Sequence, residues 1–215
     1  MPGPLLLLRH AQSVWNEAGL WQGWADPPLS VTGVQQVRQA AARLAGEAPF
    51  ELAVSSDLGR ARGTAELLIE ALDLTTGVSL DAGLREYDVG AWSGHTRDEI
   101  EARWPGEIAR FASHEMAAPP GGESREVFDA RVAAAGTRVA EAAQRAGAGP
   151  VLVVAHAGVV RALARAVGQT EHHIGHLAGY RGSHAAGGLF PDQPVNLLNG
   201  NVVADYGEGT AVSSL

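Results

Sequence analysis

The sequence contains no cysteine and no lysine. The absence of cysteine excludes disulfide bonds, thiolate nucleophiles and cysteine-ligated zinc sites. The absence of lysine excludes a Walker-type phosphate loop, which needs its lysine, and Schiff-base catalysis. All 16 basic residues are therefore arginines, so we expect any anionic ligand to be bound by arginine.

Long apolar runs and an excess of positive charge are also missing. No stretch approaches the roughly 20 apolar residues that span a bilayer, and the N-terminus lacks the basic segment and cleavage site of a signal peptide. We therefore predict a cytoplasmic protein that binds no membrane. The net charge of −8 argues against a nucleic-acid partner. The chain length of 215 residues fits one domain over residues 1–215.

An apolar run near the N-terminus ends abruptly in two polar residues. Leu5 to Leu8 are followed at once by Arg9 and His10. Four leucines are too few for a helix, and an uninterrupted apolar run is typical of a strand that is buried on both faces of a parallel sheet. Ligands of open α/β sheets bind beyond the carboxyl ends of the strands. The sequence therefore predicts an anion site at Arg9 and His10.

Three later segments repeat this arrangement. A short strand pattern precedes Arg60, which falls in the first turn of a predicted helix, and another precedes Glu86 in a glycine-rich loop. The apolar run 151–155 ends at His156. Each of these residues alone has a structural interpretation. Their recurrence at the ends of strands favours a shared site.

The alternation of strand and helix patterns predicts the fold class. It is typical of an α/β protein, here a three-layer α/β/α sandwich with a mostly parallel central sheet. The informative motifs lie within residues 5–167. Residues 169–198 show no regular pattern and are predicted to be irregular, and residues 201–206 are predicted to form a last edge strand.

The charged side chains at the strand ends suit phosphoryl transfer. Arginine binds phosphate oxygens bidentately, so Arg9 and Arg60 can neutralise and orient a phosphate ester. His10, as neutral imidazole, can attack phosphorus and form a phosphohistidine. We expect a protonated His156 to stabilise the transition state, and Glu86 to protonate the leaving group and then deprotonate water. This scheme needs no metal and no cofactor.

Five motifs, in order along the chain, resemble those of the histidine phosphatase superfamily, also called phosphoglycerate mutase-like. Residues 9–16 resemble its Arg-His-Gly-x-Thr-x-Trp-Asn signature, and residues 56–65 its Ser-x-Leu-x-Arg-Ala-x-x-Thr-Ala segment. Residues 84–94 resemble Leu-x-Glu followed by Gly-x-Trp-x-Gly, and the segments 120–124 and 153–158 complete the set. The resemblance implies the phosphoglycerate mutase-like fold and an enzyme of the small phosphatase branch.

The resemblance also implies roles for individual residues. It implies that His10 is phosphorylated and that Glu86 is the proton donor. It implies that phosphate is bound by Arg9, Arg60, His156 and Asn16. Ala11 and Ala157 stand where the family has glycine, and their methyl groups could alter the site, which Ala157 is expected to line.

Aromatic and amide side chains flank the predicted site in two loops. The candidates for substrate contacts are Trp21, Gln22, Trp24, Tyr87 and Trp92. The aromatic residues have two equally supported interpretations: a wall for a bulky leaving group, or packed anchors of the loops.

Two enzymatic reactions are compatible with the resemblance. The segment between Trp92 and Pro120 is short and offers only Arg97, Arg103 and Arg110, whereas mutases carry a long basic insertion there. A mutase must also exclude water from its phosphoenzyme. We therefore predict a phosphatase for a small phosphorylated metabolite, such as a sugar phosphate or a phosphoglycerate derivative. A cofactor-dependent phosphoglycerate mutase is the alternative, and an inactive phosphate-binding module ranks last.

The C-terminal part departs from the family pattern from Gln169 onward. It is compatible with a specific substrate pocket or with the contact of a homodimer. His172, His173 and His176 suggest a metal site, but no acidic partner accompanies them at a suitable spacing. A solvated loop is the favoured interpretation, so no metal is predicted.

Overall fold

A six-stranded mixed sheet forms the centre of the protein. The computed structural model describes residues 2–47, 49–170 and 173–199. The strand order is β3-β2-β4-β1-β5-β6. The strands are Gly3–Arg9 (β1), Leu52–Ser55 (β2), Val78–Leu80 (β3), Val151–Ala155 (β4), Ala178–Ala185 (β5) and Gly188–Asn196 (β6).

Helices cover both faces of this sheet. They are Val14–Glu17 (α1), Val31–Leu44 (α2), Gly59–Ala71 (α3), Arg97–Arg103 (α4), Glu107–Ala112 (α5), Arg125–Arg145 (α6) and Ala157–Ala166 (α7). The side chains of Ser30 and Ser124 cap α2 and α6 by accepting hydrogen bonds from backbone amides of the first turn. Within the described ranges, no helix is both long enough and apolar enough to cross a membrane.

Side chains of the strands alternate between two hydrophobic cores. Leu6 and Leu8 pack with α2 and α3 on one face, whereas Leu5 and Leu7 pack with α6 and α7 on the other. All four leucines are at most 3% exposed, as an apolar run without alternation requires of a strand covered on both sides. The prediction of an α/β fold with layered helices is thus confirmed.

The prediction for residues 169–198 is wrong. Residues 178–196 form an antiparallel hairpin, β5 and β6, and β5 pairs antiparallel with β1. Glycine and proline inside the strands interrupt the apolar alternation that would indicate a strand in the sequence. A Cβ on Gly179 would lie 1.9 Å from the Leu7 carbonyl oxygen, so the close pairing there requires glycine. Pro191 and Pro194 lie on the edge strand β6, where proline is tolerated. Residues 201–206 lie outside the described residues.

The parallel strands bring distant residues to one edge of the sheet. Arg9 is in register with Ala155, and Ser55 is in register with Val154. The His10 amide donates to the Ala155 carbonyl at 2.9 Å and the Ser56 amide to that of Val154 at 3.0 Å. The residues that follow β1, β2 and β4 therefore meet at the carboxyl end of the sheet, as Arg9 and His10 led us to expect.

Candidate active site

Two histidines and an arginine from three strand ends converge in the protein interior. The ring centroids of His10 and His156 lie 5.1 Å apart, and Nε of Arg60 lies 3.3 Å from Nε2 of His10. These side chains are at most 3% exposed. The structure thus brings together residues separated by up to 146 positions in the chain, since it joins β1, β4 and the start of α3.

The contacts of His10 determine which ring nitrogen carries the proton. Nδ1 lies 2.6 Å from the carbonyl oxygen of Ala11, which can only accept, so Nδ1 is protonated. Nε2 faces the guanidinium of Arg60, which can only donate, so Nε2 presents a lone pair. Burial, together with the charges of Arg60 and Arg9, holds the pKa of His10 well below its usual value. The ring is therefore neutral and nucleophilic at Nε2.

Arg60 links the phosphate side of the site to the tryptophan-rich loop. Nη1 donates to the carbonyl of Ala25 at 2.7 Å and Nη2 to that of Gly23 at 2.8 Å. Its pKa is lowered to about 10 by burial, an effect that the charge of Glu86 opposes. Arg60 therefore remains cationic at neutral pH.

Arg9 supplies a second buried cation. Nη1 donates to the carbonyl of Ile174 at 2.8 Å, whereas Nε is buried and has no hydrogen-bond partner among the described residues. Burial lowers the pKa of Arg9 to about 10, with Glu86 opposing this shift and Arg161 and Arg60 adding to it. A buried guanidinium nitrogen without a partner is what a site for an anion would present.

The surroundings of His156 lower its pKa, which favours a neutral ring over the protonated state that we expected. Burial comes first among the causes that hold its pKa well below the usual value, followed by the charge of Arg60 and by His10. Nε2 lies 2.9 Å from Oγ of Ser56, and Nδ1 is buried without a partner among the described residues. The correction follows from burying an imidazole beside two guanidinium groups, which disfavours a third positive charge.

Glu86 reaches the site from a coil segment. Its Oε1 accepts from the Tyr87 amide at 2.9 Å, and its Oε2 accepts from the Gly158 amide, in the first turn of α7, at 3.2 Å. The residue is 8% exposed. A Cβ on Gly158 would lie 2.3 Å from Oε1, so glycine at this position allows the carboxylate to approach the helix. The structure therefore places one carboxylate close enough to Arg9 and Arg60 to act on their charges.

Comparison with known proteins agrees with this arrangement. The sequence profile of the histidine phosphatase superfamily (branch 1) matches residues 5–184. The chain belongs to this superfamily. Its structural neighbours include proteins named as phosphatases and as a mutase.

Curated relatives named as mutases match most of this chain. A 2,3-bisphosphoglycerate-dependent phosphoglycerate mutase of Azorhizobium caulinodans is 40% identical over 60% of this chain and 64% of its own length. The corresponding enzyme of Methylobacterium sp. (strain 4-46) is 39% identical over 74% of this chain and 77% of its own length. The matched region thus spans slightly less than two thirds of the first of these mutases.

Solved structures of both a mutase and a phosphatase resemble this chain. Phosphoglycerate mutase from Bacillus anthracis superposes with a TM-score of 0.78 at 26% identity, covering 89% of this chain and 92% of that one. Mycobacterial glucosyl-3-phosphoglycerate phosphatase gives a TM-score of 0.70 at 35% identity, covering 85% and 91%. The predicted phosphoglycerate mutase-like fold is confirmed.

The two alanines that replace glycines of the superfamily fit without strain. Ala11 and Ala157 are not among the residues with positive φ, so the backbone at these positions suits an alanine. Ala11 is fully buried, and its amide donates to Oγ1 of Thr64 at 3.0 Å. Ala157 is 3% exposed and opens α7 directly after His156.

The two amide candidates lie in a local hydrogen-bond network. Oδ1 of Asn16 accepts from the Ser13 amide at 3.1 Å, and the Asn16 amide donates to Oγ of Ser13 at 3.1 Å. Oγ of Ser13 also donates to Oε1 of Gln22 at 2.8 Å. A phosphate contact by Asn16 would therefore use its side-chain nitrogen, because the oxygen caps α1.

Three of the four aromatic candidates are packed anchors. Trp21, Tyr87 and Trp92 are at most 9% exposed and belong to the core on the α6 side. Only Trp24 among them reaches the surface, with 41% of its area exposed. Burial in the core favours the interpretation as loop anchors for these three residues. Their contact with a substrate stays a prediction.

Sequence reasoning missed several neighbours of the site. Ser56 and Thr64 contact His156 and Ala11, and both lie inside the motif 56–65, which was the signal that could have found them. Arg131, on α6, donates to the carbonyl of Glu86 at 2.7 Å. It gave no signal beyond being an arginine on a helix.

Two of the three histidines near the C-terminus are described, and one is exposed whereas the other lies beside His10. His172 lies outside the described residues, and His173 is exposed. The ring centroid of His176 lies 6.2 Å from that of His10, and burial and the charge of Arg9 lower its pKa to about 3. The interpretation as a solvated loop is therefore wrong for His176. Within residues 2–47, 49–170 and 173–199, no group of three acidic or histidine side chains is placed to hold a metal ion.

Proposed function

We propose that this enzyme hydrolyses phosphomonoesters of small metabolites through a phosphohistidine at His10. The main support for the proposal is the lone pair on Nε2 of His10. The contact of Nδ1 with the carbonyl of Ala11 places the proton on Nδ1, so Nε2 stays unprotonated beside the guanidinium of Arg60. A neutral, oriented nucleophile next to fixed positive charge is what attack on a phosphate dianion requires.

The first step transfers the phosphoryl group to the enzyme. Nε2 of His10 attacks phosphorus, the bond to the ester oxygen breaks, and protonated Glu86 gives its proton to the leaving oxygen. Arg9 and Arg60 neutralise the phosphoryl oxygens. His156 lies 5.1 Å from His10 between ring centroids. Its neutral ring can still donate one hydrogen bond to a phosphoryl oxygen.

The second step returns the enzyme to its starting state. Glu86 is now ionised and takes a proton from water as the water oxygen attacks phosphorus. The bond between phosphorus and Nε2 breaks, its electron pair returns to His10, and inorganic phosphate leaves. One carboxylate thus serves both half-reactions, and no further acid or base is required.

Phosphatase activity is favoured over mutase activity by the segment between Trp92 and Pro120. It contains only the short helices α4 and α5, and Arg97, Arg103 and Arg110 are exposed on them. The 35% identity to glucosyl-3-phosphoglycerate phosphatase over 85% of this chain supports the same choice. We infer a sugar phosphate or a phosphoglycerate derivative as the substrate.

The mutase reaction is the second candidate because several relatives of 36–40% identity are named 2,3-bisphosphoglycerate-dependent phosphoglycerate mutases. Product analysis separates the two reactions. The enzyme is incubated with 3-phosphoglycerate, with and without 2,3-bisphosphoglycerate. Release of inorganic phosphate under both conditions supports the phosphatase. Formation of the 2-phospho isomer that depends on the bisphosphate would overturn it.

A panel of phosphomonoesters then defines the substrate. It should contain sugar phosphates, phosphoglycerate and a glucosylated phosphoglycerate, because a structural neighbour carries the name of a phosphatase for the last of these. We expect the highest kcat/KM within this group. A uniformly low kcat/KM across the panel would contradict the inferred substrate class without affecting the chemistry at His10.

A further inference from the structure

The segment that carries Glu86 is held by an arginine from a helix distant in sequence. Nη1 of Arg131 donates to the carbonyl of Gly83 at 3.0 Å and to that of Arg85 at 2.7 Å. Nη2 donates to the carbonyl of Glu86 itself at 2.7 Å. One rigid guanidinium thus binds three carbonyl oxygens within four residues, and it fixes their relative positions.

Glu123 orients this arginine and binds the same segment from the other side of Glu86. Its Oε2 accepts from Nε of Arg131 at 2.9 Å, and its Oε1 accepts from the Asp88 amide at 2.8 Å. The side chains of Arg131 and Glu123 are 18% and 9% exposed. Together they contact the backbone before and after Glu86.

The backbone around Glu123 lies equally close to this segment. The Glu123 amide donates to the carbonyl of Asp88 at 3.1 Å. A Cβ on Gly122 would lie 2.3 Å from that same oxygen. The Gly-Gly-Glu sequence at residues 121–123 therefore allows the turn to approach residue 88, and it places the Glu123 carboxylate beside Arg131.

Glu86 needs such contacts because no regular element holds it. It lies between two short 3-10 turns, Ala82–Leu84 and Gly90–Trp92, and outside every strand of the sheet. The hydrogen bonds of its carboxylate come from the adjacent Tyr87 amide and from Gly158. The contacts from Arg131 and Glu123 instead tie the segment to α6, a helix of 21 residues.

We propose that Arg131 and Glu123 form a positioning pair that holds Glu86 at the oxygen of the leaving group. This inference rests on the proposed role of Glu86 as proton donor. Neither member of the pair takes part in proton transfer, because its polar atoms are engaged by Glu86's segment and by each other. Their effect is to keep the donor in place, and a misplacement of 1 Å can cost on the order of 100-fold in rate.

A purely structural pair would lower the stability of the protein and affect all substrates equally. A positioning pair has a different signature, which depends on the leaving group. An alkyl phosphate releases a basic alkoxide that needs the proton of Glu86, whereas 2,4-dinitrophenyl phosphate releases an anion that leaves without protonation. Loss of the pair should therefore impair the first substrate and spare the phosphorylation step of the second.

The experiment measures the rate of phosphoenzyme formation for a series of phosphate esters from dinitrophenyl to alkyl. The variants are Arg131→Gln, Arg131→Lys and Glu123→Gln, with Glu86→Gln as the reference for a lost donor. Arg145→Gln is the matched control, because Arg145 lies on the same helix and its exposed side chain pairs with Glu141 of that helix. Thermal unfolding of every variant reports on stability.

We expect Arg131→Gln to lose on the order of 100-fold with the alkyl ester and less than about threefold with the dinitrophenyl ester. Arg131→Lys and Glu123→Gln should show the same selectivity to a smaller extent, and Arg145→Gln should show none. If Arg131→Gln does not fold, the selectivity of the two milder variants decides the question.

Two results would overturn the inference. One leaves the proposed function intact, and the other also removes the role of Glu86 as proton donor. If Glu86→Gln is selective for the leaving group but the Arg131 and Glu123 variants lose activity equally on all esters, the pair is structural and the proposed function stands. If Glu86→Gln itself shows no such selectivity, Glu86 is not the proton donor, and the positioning role fails together with that part of the proposed function.

Discussion

The two halves of the candidate active site are built by different means. His10 and His156 directly follow two strands that are paired in parallel, β1 and β4, so backbone hydrogen bonds of the sheet determine where they lie. Glu86 lies in a coil segment, where side chains of Arg131, Glu123 and Trp24 supply the contacts. The proposed nucleophile is thus placed by the topology of the fold, whereas the proposed acid is placed by long-range side-chain contacts.

This difference suggests where each half is vulnerable. On the phosphate side, we expect loss of function from removing a charge, because the sheet keeps the remaining groups in place. On the Glu86 side, small steric or polar changes at a distance should suffice. The following predictions test this contrast.

The largest effect is expected from Arg60→Ala. The substitution removes a buried cation beside Nε2 of His10 and also the two hydrogen bonds to the carbonyls of Gly23 and Ala25. We predict a fall in kcat/KM of about 100- to 1,000-fold. Steady-state kinetics on the best phosphomonoester provides the measurement.

Arg62→Ala is the matched control for Arg60→Ala. Arg62 lies on the same helix with its side chain 51% exposed, in an ion pair with Glu66. Such a surface pair contributes little, so activity should stay within about twofold of wild type. Equal losses in both variants would mean that the overall charge of α3, and not the buried position of Arg60, determines the effect.

On the Glu86 side, Gly158→Ala should act through one methyl group. A Cβ at this position would lie 2.3 Å from Oε1 of Glu86, so the carboxylate must move. We predict a loss on the order of 100-fold in kcat with alkyl phosphates, because the acid is displaced from the leaving group. Gly63→Ala is the control, since a Cβ there would meet the side chain of Leu29 at 3.6 Å, an ordinary contact. Full activity of Gly158→Ala would show that Glu86 tolerates displacement.

The phosphate side should make the protein sensitive to acid. Burial lowers the pKa of His10 and His156 well below the unfolded value of 6.5. Below pH 6.5 the unfolded chain therefore binds more protons than the folded chain. The stability that the two neutral rings contribute is fully present above that pH. It is lost as the pH falls towards the pKa that these histidines have in the folded state. The expected slope is about 1.4 kcal/mol per pH unit for each histidine.

Chemical denaturation between pH 8 and pH 5, in a buffer free of phosphate, measures this dependence. His156→Gln should reduce the slope by the share of one histidine, about 1.4 kcal/mol per pH unit. His95→Gln is the control, because His95 lies near the surface in contact with Arg103 and Glu99. An unchanged slope in His156→Gln would show that this ring is protonated in the folded protein.

The smallest effect is expected from Trp24→Phe. Nε1 of Trp24 donates to the carbonyl of Glu86 at 2.8 Å, and the ring lies near the guanidinium groups of Arg85 and Arg131. Phenylalanine keeps the aromatic face but loses the hydrogen bond. We predict a two- to tenfold lower kcat with alkyl phosphates, about the value of one hydrogen bond. An effect on KM alone would instead assign Trp24 to substrate binding.

The contrast also explains what the sequence could reveal. A continuous apolar run that ends at a polar residue is a local pattern, so Arg9, His10 and His156 could be placed at the edge of the sheet from sequence alone. The contacts of Arg131 to residues 83–86 join positions about 45 apart in the chain, and no local periodicity encodes them. The same holds for His176, which approaches His10 only because the hairpin folds beside β1.

The lowered pKa of His156 was not predicted for a related reason. A histidine after a strand suggests a cation near phosphate, but its protonation depends on how many other charges are buried beside it. Burial and the proximity of Arg60 and His10 lower its pKa, and neither factor can be read from a strand pattern. The hairpin of β5 and β6 was missed because glycine and proline inside it mask the propensity of a strand.

In the proposed reaction the phosphoryl group is transferred first to His10 and then to water. The most direct measurement is to incubate wild type, Glu86→Gln and His10→Ala with an aryl phosphate labelled at phosphorus, to quench in alkaline denaturant, and to locate the label by peptide mapping. We predict label on His10 in wild type, more of it in Glu86→Gln because the attack of water is slowed, and none in His10→Ala. Release of phosphate by wild type and Glu86→Gln without any label on His10 would contradict this prediction.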